Sequence, residues 1–206
     1  MPINTITLVG RMEPNTVVKD HNGRVVHHGY FTVTRKSGAK DTLPIIVPMA
    51  ACKFDGTLGF VGKLRVVGEI RTTSRIIDGQ NRHVATVYAK EVTHTDDEEG
   101  QWLEADGVIC THPTYRMTPL GREISDLTVA VRHSRGSDYI PVVTWGRTAQ
   151  EISKAKVGDI VHLRGRFQSR PYRKKLDIGG EVERTAFEVS AKTCQVVGKQ
   201  RRLKAE

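Results

Sequence analysis

The sequence has few cysteines and no arrangement of residues that is typical of a metal site. Its three cysteines, Cys52, Cys110 and Cys194, lie far apart, and no Cys-x-x-Cys pair occurs. This pattern indicates neither a disulfide framework nor a zinc site, and it favours a reducing compartment. The eight histidines are scattered; His27 and His28 are adjacent, so in a strand they would point to opposite faces. We therefore expect no metal and no cofactor.

Motifs of catalysis are missing as well. The chain contains no Gly-x-x-x-x-Gly-Lys phosphate loop, no Gly-x-Ser-x-Gly elbow and no paired-carboxylate motif. An enzyme that acts on nucleic acid stays an alternative, but no residue can be assigned to its chemistry. We expect a binding protein and not an enzyme.

Long apolar segments are absent too. The longest mostly apolar run, from Leu43 to Ala51, is too short to span a bilayer. Residues 1–10 lack the basic and apolar regions of a signal peptide. These features predict no membrane association and a cytoplasmic location, associated with the nucleoid if the source is bacterial.

Positive charge is what the chain has in excess. Its 206 residues include 32 Lys and Arg against 23 Asp and Glu, which gives a net charge of +9. Such a balance favours a polyanionic partner, although a soluble protein can also be basic without one. The apolar content of 38% supports a folded core.

The sequence pattern occurs twice, at a spacing of roughly 97 residues. Residues 127–132 and 140–143 repeat the patterns of 31–35 and 43–46. A repeat of this length indicates a duplicated domain and not a solenoid. Each copy contains about five short strands with a short helix between the third and the fourth, which suits a small closed barrel.

The predicted fold is therefore all-β, with two tandem five-stranded barrels of the oligonucleotide/oligosaccharide-binding type (OB-fold). Four consecutive acids, at 96–99, precede Gly100 and show no apolar period. We interpret them as a linker, with a solvated surface turn as the alternative. The predicted divisions are 1–95 for the first barrel, 96–101 for the acidic linker, 102–198 for the second barrel and 199–206 for a basic tail.

The most informative stretch runs from Tyr139 to Tyr172. Alternate residues of a strand share a face, so Tyr139 and Trp145 lie on the same side of one strand. The strand at 161–172 has one apolar face and one basic face. Cations that follow phosphates and rings on which bases stack are what a single-stranded nucleic acid needs. The basic face carries Arg164, Arg166, Gln168, Arg170 and Tyr172.

A plainer interpretation of these residues stays open. Trp145 could belong to a core, because Val143 shares its face, and the arginines could form an ordinary solvated face. Residues 173–175 are expected in the hairpin loop after Tyr172, as a mobile clamp on the nucleic acid or as a solubilising loop.

The second copy resembles the bacterial single-stranded-DNA-binding protein family. The segments at 112–121, 127–131, 139–149 and 158–172 are similar to family motifs, and they occur in the family's order and spacing. The similarity covers about 104–197. The first copy resembles the family more weakly, at its first strand, at 61–71 and at 78–82.

The resemblance implies which residues contact nucleic acid. The family stacks bases on aromatic rings, but the matching positions in the first copy, near Thr42, Pro48 and Arg75, hold no ring. The rings assigned to stacking are Tyr139, Trp145 and Tyr172. The expected phosphate contacts are Arg164, Arg166, Arg170, Arg173, Lys174, Lys175, Arg132, Arg135 and Arg147 in the second copy, and Arg35, Arg71, Arg75 and Arg82 in the first.

The resemblance also implies a function and partners. We expect sequence-tolerant binding of single-stranded DNA in replication, recombination or repair, by a homodimer with four OB-folds and possible replication-protein partners. The family's acidic C-terminal tip is replaced by basic residues at 199–206, so recruitment through such a tip is not expected. The alternatives are an assembly protein, for example of the primosome type, and an RNA-binding OB-fold protein.

Overall fold

The computed structural model describes residues 3–20, 22–54, 59–77, 79–175 and 179–200, and of 74–77, 80–83 and 175 it describes only the backbone. The protein is mostly β, as predicted. The described strands are β1 (Asn4–Met12), β2 (Thr16–Lys19), β3 (Val25–Thr34), β4 (Lys40–Pro48), β5 (Leu64–Ile77), β6 (Gln80–His94), β7 (Gly100–Ile109), β8 (Thr114–Met117), β9 (Glu123–His133), β10 (Gly136–Trp145), β11 (Asp159–Lys175) and β12 (Glu181–Lys199).

The strands follow the alternation of apolar residues in the sequence. In β9, Leu127, Val129 and Val131 are buried, whereas the residues between them are more exposed. Helical structure is limited in the described chain to α1 (Gly146–Ile152), between β10 and β11, and a 3-10 turn at Met49–Ala51, between β4 and β5. No helix among these residues is long and apolar enough to cross a membrane.

The chain forms two compact units. The N-unit consists of Thr5–Trp102 and Phe167–Glu188, and the C-unit of Met1–Asn4, Leu103–Arg166 and Val189–Glu206. The distal part of the β11–β12 hairpin therefore belongs to the N-unit, a division that the sequence did not indicate. The divisions at 1–95, 96–101 and 102–198 stay predictions, and 199–206 lies mostly outside the described residues.

The sheet of the N-unit has the strand order β2-β3-β4-β6-β5-β1, and β1 also pairs with β3. The register of that closing pair joins Arg11 to Thr32. Strands β4 and β6 are parallel, whereas β5 and β6 are antiparallel. The largest fully buried side chains of this unit's strands are Phe31, Phe167, Ile6, Leu8, Leu43, Ile45, Leu64 and Ile70.

The sheet of the C-unit repeats this order. It runs β7-β11-β12-β10-β9-β8, and β7 also pairs with β9, with Val108 opposite Ala130. Strands β10 and β12 are parallel. Helix α1 packs on this sheet through the buried residues Ala149 and Ile152, and Ser125 Oγ donates a hydrogen bond to the Ala149 carbonyl at 2.9 Å.

The carboxylate of Asp41 in β4 is fully buried and organises part of the N-unit. It accepts hydrogen bonds from Arg35 Nε at 2.7 Å, Gln101 Nε2 at 2.9 Å and the backbone N–H of Ser169 at 3.1 Å. The hydrogen bond with Asp41 raises the pKa of Arg35. Because Ser169 lies in the hairpin segment 167–188, this one carboxylate connects that segment to β4.

We expect Asp41→Asn to destabilise the protein by about 3–5 kcal/mol, because it leaves the Arg35 guanidinium without its buried counter-charge. The same variant should speed amide hydrogen exchange at Ser169. Urea unfolding and NMR-detected exchange measure these two effects. The control is Glu151→Gln, which removes a carboxylate from the exposed pair with Arg147; equal stability of the two variants would contradict the role of Asp41.

Candidate nucleic-acid interface

Strand β10 presents two aromatic rings on the face opposite its core residues. Ile140, Val142 and Thr144 point inward and are buried, whereas Tyr139 is 41% exposed and Trp145 is half-buried. Val143 shares the outer face and is itself only 3% exposed. The accessible part of this face therefore includes the two rings, which suits the stacking of bases.

Trp145 is held by a neighbouring strand. Its Nε1–H donates a hydrogen bond to Ser190 Oγ at 3.0 Å. Ser190 is 3% exposed and lies opposite Val143 in the parallel pairing of β10 with β12. An indole that is already fixed loses little side-chain freedom when a base stacks on it. Sequence reasoning did not find Ser190; the only signal is a hydroxyl between Val189 and Ala191.

A glycine sets the place of Ser190. A Cβ atom at Gly165 of β11 would lie 2.3 Å from the Ser190 carbonyl oxygen, which is closer than real Cβ contacts. Only glycine therefore permits β11 and β12 to approach this closely. The N-unit has the same feature, because a Cβ at Gly68 of β5 would lie 2.4 Å from the carbonyl oxygen of Tyr88 in β6.

Most cations predicted for the C-unit are exposed, and some have carboxylate partners. Arg164 of β11 pairs with Glu104, directly opposite on β7, with Nε and Nη2 at 3.0 and 2.8 Å from Oε1. Arg147 pairs with Glu151 one turn along α1, at 2.9 Å. The remaining predicted cations are Arg132 and Arg135, which are exposed, and Arg166, which is half-buried.

The predicted residues of the hairpin form a separate group in the N-unit. Arg170 makes a two-point contact with Glu188, through Nε at 2.8 Å and Nη2 at 3.1 Å. Its guanidinium carbon also lies 5.9 Å from the ring centroid of Tyr172, within the range of a cation–π contact. Gln168 donates to Glu188 at 2.9 Å and is buried, so it does not belong to an open face.

Residues 173–175 were expected in a loop, and the structure corrects this. They continue strand β11, which extends to Lys175, and do not form a loop. Arg173 is 79% exposed and lies 3.9 Å from Glu181, and Lys174 is half-buried. The side chain of Lys175 lies outside the described residues.

The predicted cations of the first copy are tied to carboxylates where the structure describes them. Arg35 pairs with the buried Asp41, and Arg71 Nε lies 2.7 Å from Glu69 Oε1. Lys90 Nζ lies 2.8 Å from the same Glu69 oxygen. Burial disfavours the charged form of Glu69, but the hydrogen bonds from Lys90 and Arg71 outweigh it and lower its pKa. The side chains predicted at Arg75 and Arg82 lie outside the described residues.

These ion pairs differ in how easily a phosphate can replace the carboxylate. An exposed ion pair contributes about 0–1 kcal/mol, so a phosphate can replace its carboxylate at low cost. Arg164, Arg147 and Arg173 are in this class. Arg35 is not, because removing it would leave the buried Asp41 carboxylate uncompensated. The geometry therefore gives Arg35 a structural role, and its phosphate contact stays a prediction.

Comparison with known proteins connects the C-unit to a family. Residues 104–197 match the model of the single-strand binding protein family. Over this range the chain is similar to that family. The matched range is the one over which the sequence motifs showed the resemblance, so that identification is confirmed.

The whole chain also resembles solved structures. The wild-type single-stranded DNA binding protein from Thermus aquaticus matches with a TM-score of 0.73 at 18% identity, over 100% of this chain and 96% of that chain. A deletion mutant of the same protein matches with a TM-score of 0.71 at 18% identity, over 99% and 98%. At this identity the likeness shows the fold. Among curated proteins, none matches the sequence.

We expect Ser190→Ala to release the indole of Trp145. The lost hydrogen bond should lower the free energy of unfolding by about 0.5–1.5 kcal/mol. In a ¹H–¹⁵N spectrum the Nε1–H signal of Trp145 should shift, whereas that of Trp102, the second of the two tryptophans, should stay in place and so serves as the internal control. An unmoved Trp145 signal would show that Ser190 does not hold this ring.

Proposed function

We propose that this protein binds single-stranded DNA with little sequence preference. The observation that carries the proposal is the pair of outward rings, Tyr139 and Trp145, on β10 within the range that matches the single-strand binding protein family. Flat rings accept any base, because every base has a π-face. The function is binding and not catalysis.

We further propose that each unit is built on a five-stranded OB barrel. The closing pairs β1–β3 and β7–β9 support this proposal, as do the parallel pairs β4–β6 and β10–β12. The position of α1 between β10 and β11 supports a helix between the third and fourth strands of the second barrel. The homodimer with four barrels and the replication-protein partners stay predictions.

The proposed mechanism combines stacking with the exchange of ion pairs. Tyr139, Trp145 and Tyr172 stack bases, and each stacked base contributes about 1–3 kcal/mol. Exposed arginines, such as Arg132 and Arg164, contact phosphates. Each neutralised phosphate should lower the logarithm of the binding constant by about 0.7 per logarithmic unit of salt.

We expect Trp145→Ala to weaken binding of labelled oligo-dT by roughly 5- to 150-fold, the equivalent of one stacked base. Fluorescence anisotropy at two salt concentrations measures this loss. Trp102→Ala is the matched control, because Trp102 is 58% exposed and is not among the proposed contacts. Equal affinity of the wild type for oligo-dT and for a duplex would contradict the proposed function.

We expect Glu104→Gln to tighten binding of oligo-dT and to steepen its salt dependence, because it releases the guanidinium of Arg164 for phosphate. Asp97→Asn is the control for net charge, since it removes one negative charge beside Arg65, which is not a proposed contact. The measurement is the anisotropy titration over a salt series. If both variants tighten binding equally, net charge and not the freed Arg164 is responsible.

A further inference from the structure

The N-unit carries an aromatic ring at a place where the C-unit has a serine. Tyr88 lies against Gly68 as Ser190 lies against Gly165. The parallel registers agree, because Tyr88 pairs with Ile46 of β4 and Ser190 pairs with Val143 of β10. Tyr88 and Ser190 are therefore equivalent residues of the two sheets.

The strands that pair in parallel with β12 and β6 show the opposite difference, with a ring in the C-unit and none in the N-unit. Trp145 is the last residue of β10 and is followed by α1, whereas Pro48 is the last residue of β4 and is followed by the 3-10 turn. The C-unit thus has its ring on β10 and a small hydroxyl on β12. The N-unit has proline on β4 and a ring, Tyr88, on β6. At this pair of positions each unit therefore has one ring, which lies on β10 in the C-unit and on β6 in the N-unit.

Tyr88 borders an open recess of about 520 Å³. This volume lies within the range of about 300–1,000 Å³ that is common for small-ligand sites. Apolar lining comes from Pro48, Met49 and Val25, among others, and Met49 is 53% exposed. A flat heterocycle can stack on a half-buried ring that lies beside exposed apolar surface.

The charges at the recess suit a nucleotide. Lys90 and Arg24 line it, and Lys90 Nζ lies 5.0 Å from the ring centroid of Tyr88. Lys90 also pairs with Glu69, but its side chain is 53% exposed, so this pair can open at low cost. Asp20 lines the recess as well, and its Oδ1 accepts hydrogen bonds from the backbone N–H groups of its own turn, at Asn22 and Arg24.

We propose that this recess binds a nucleobase of single-stranded DNA against Tyr88, with Lys90 and Arg24 contacting the adjoining phosphates. The proposal rests on the proposed function and extends it to the N-unit. It assigns the first copy a base contact although its positions Thr42 and Pro48 lack rings. A ring supplies the stacking surface, and the two cations supply the charge that a phosphate requires.

The test uses the full chain and an oligo-dT in which single thymidines are replaced by 5-iododeoxyuridine. Irradiation followed by peptide mass spectrometry should find a cross-link at Tyr88. Tyr88→Leu should lose that cross-link and weaken binding by about fivefold or more, whereas Tyr88→Phe, which keeps the ring, should bind within about twofold of the wild type. Tyr115→Leu is the control, because Tyr115 is an exposed ring outside the recess.

The outcomes separate this inference from the proposed function. Cross-links at Tyr139, Trp145 or Tyr172 without one at Tyr88, together with unchanged binding by Tyr88→Leu, would overturn the recess and leave the function standing. Absence of any binding to oligo-dT would overturn both. If Tyr115→Leu weakens binding of oligo-dT as much as Tyr88→Leu does, the proposed site at the recess is also overturned. If Tyr88→Leu does not fold, the cross-link map of the wild type decides.

Discussion

The proposed binding face depends on the close approach of two backbones at Gly165 and Ser190. Because a side chain at Gly165 would collide with the Ser190 carbonyl, only glycine lets β12 lie this near β11. That approach places Ser190 Oγ under the indole N–H of Trp145. The N-unit keeps the same approach at Gly68 but places Tyr88 there. In both units a glycine thus lets two strands approach closely beside a ring. That ring is Trp145 in the C-unit and Tyr88 in the N-unit.

Carboxylates on neighbouring strands hold the cations before any nucleic acid arrives. Glu104 holds Arg164, and Glu188 holds Arg170 beside Tyr172. These ion pairs restrict the arginine side chains. In the exposed pairs a phosphate can replace the carboxylate. A cation that is held in place gives up less conformational freedom on binding than a mobile one. The same carboxylates lower the local positive charge, so binding should depend on salt more weakly than the number of arginines indicates.

The sequence allowed the strands and the outward rings to be predicted, because alternation within a strand decides which face a side chain occupies. It could not reveal Ser190, Glu104 or Glu188, since their importance depends on which strand lies beside which and in what register. The pairing of Arg35 with Asp41 was missed for the same reason, because nothing in the alternation shows that Asp41 is buried. Tyr88 was missed because ring positions were carried over within one strand, whereas the ring of the N-unit lies on the next.

The proposed function depends most on a direct contact between the ring of Trp145 and the bases. Tryptophan fluorescence of Trp102→Phe, in which Trp145 is the remaining tryptophan, tests it most directly during titration with oligo-dT. Stacking predicts strong quenching that saturates with binding and weakens as salt rises, because a stacked base quenches the indole that it covers. Undiminished fluorescence while anisotropy reports bound DNA would contradict the account, since the DNA would then bind elsewhere on the protein.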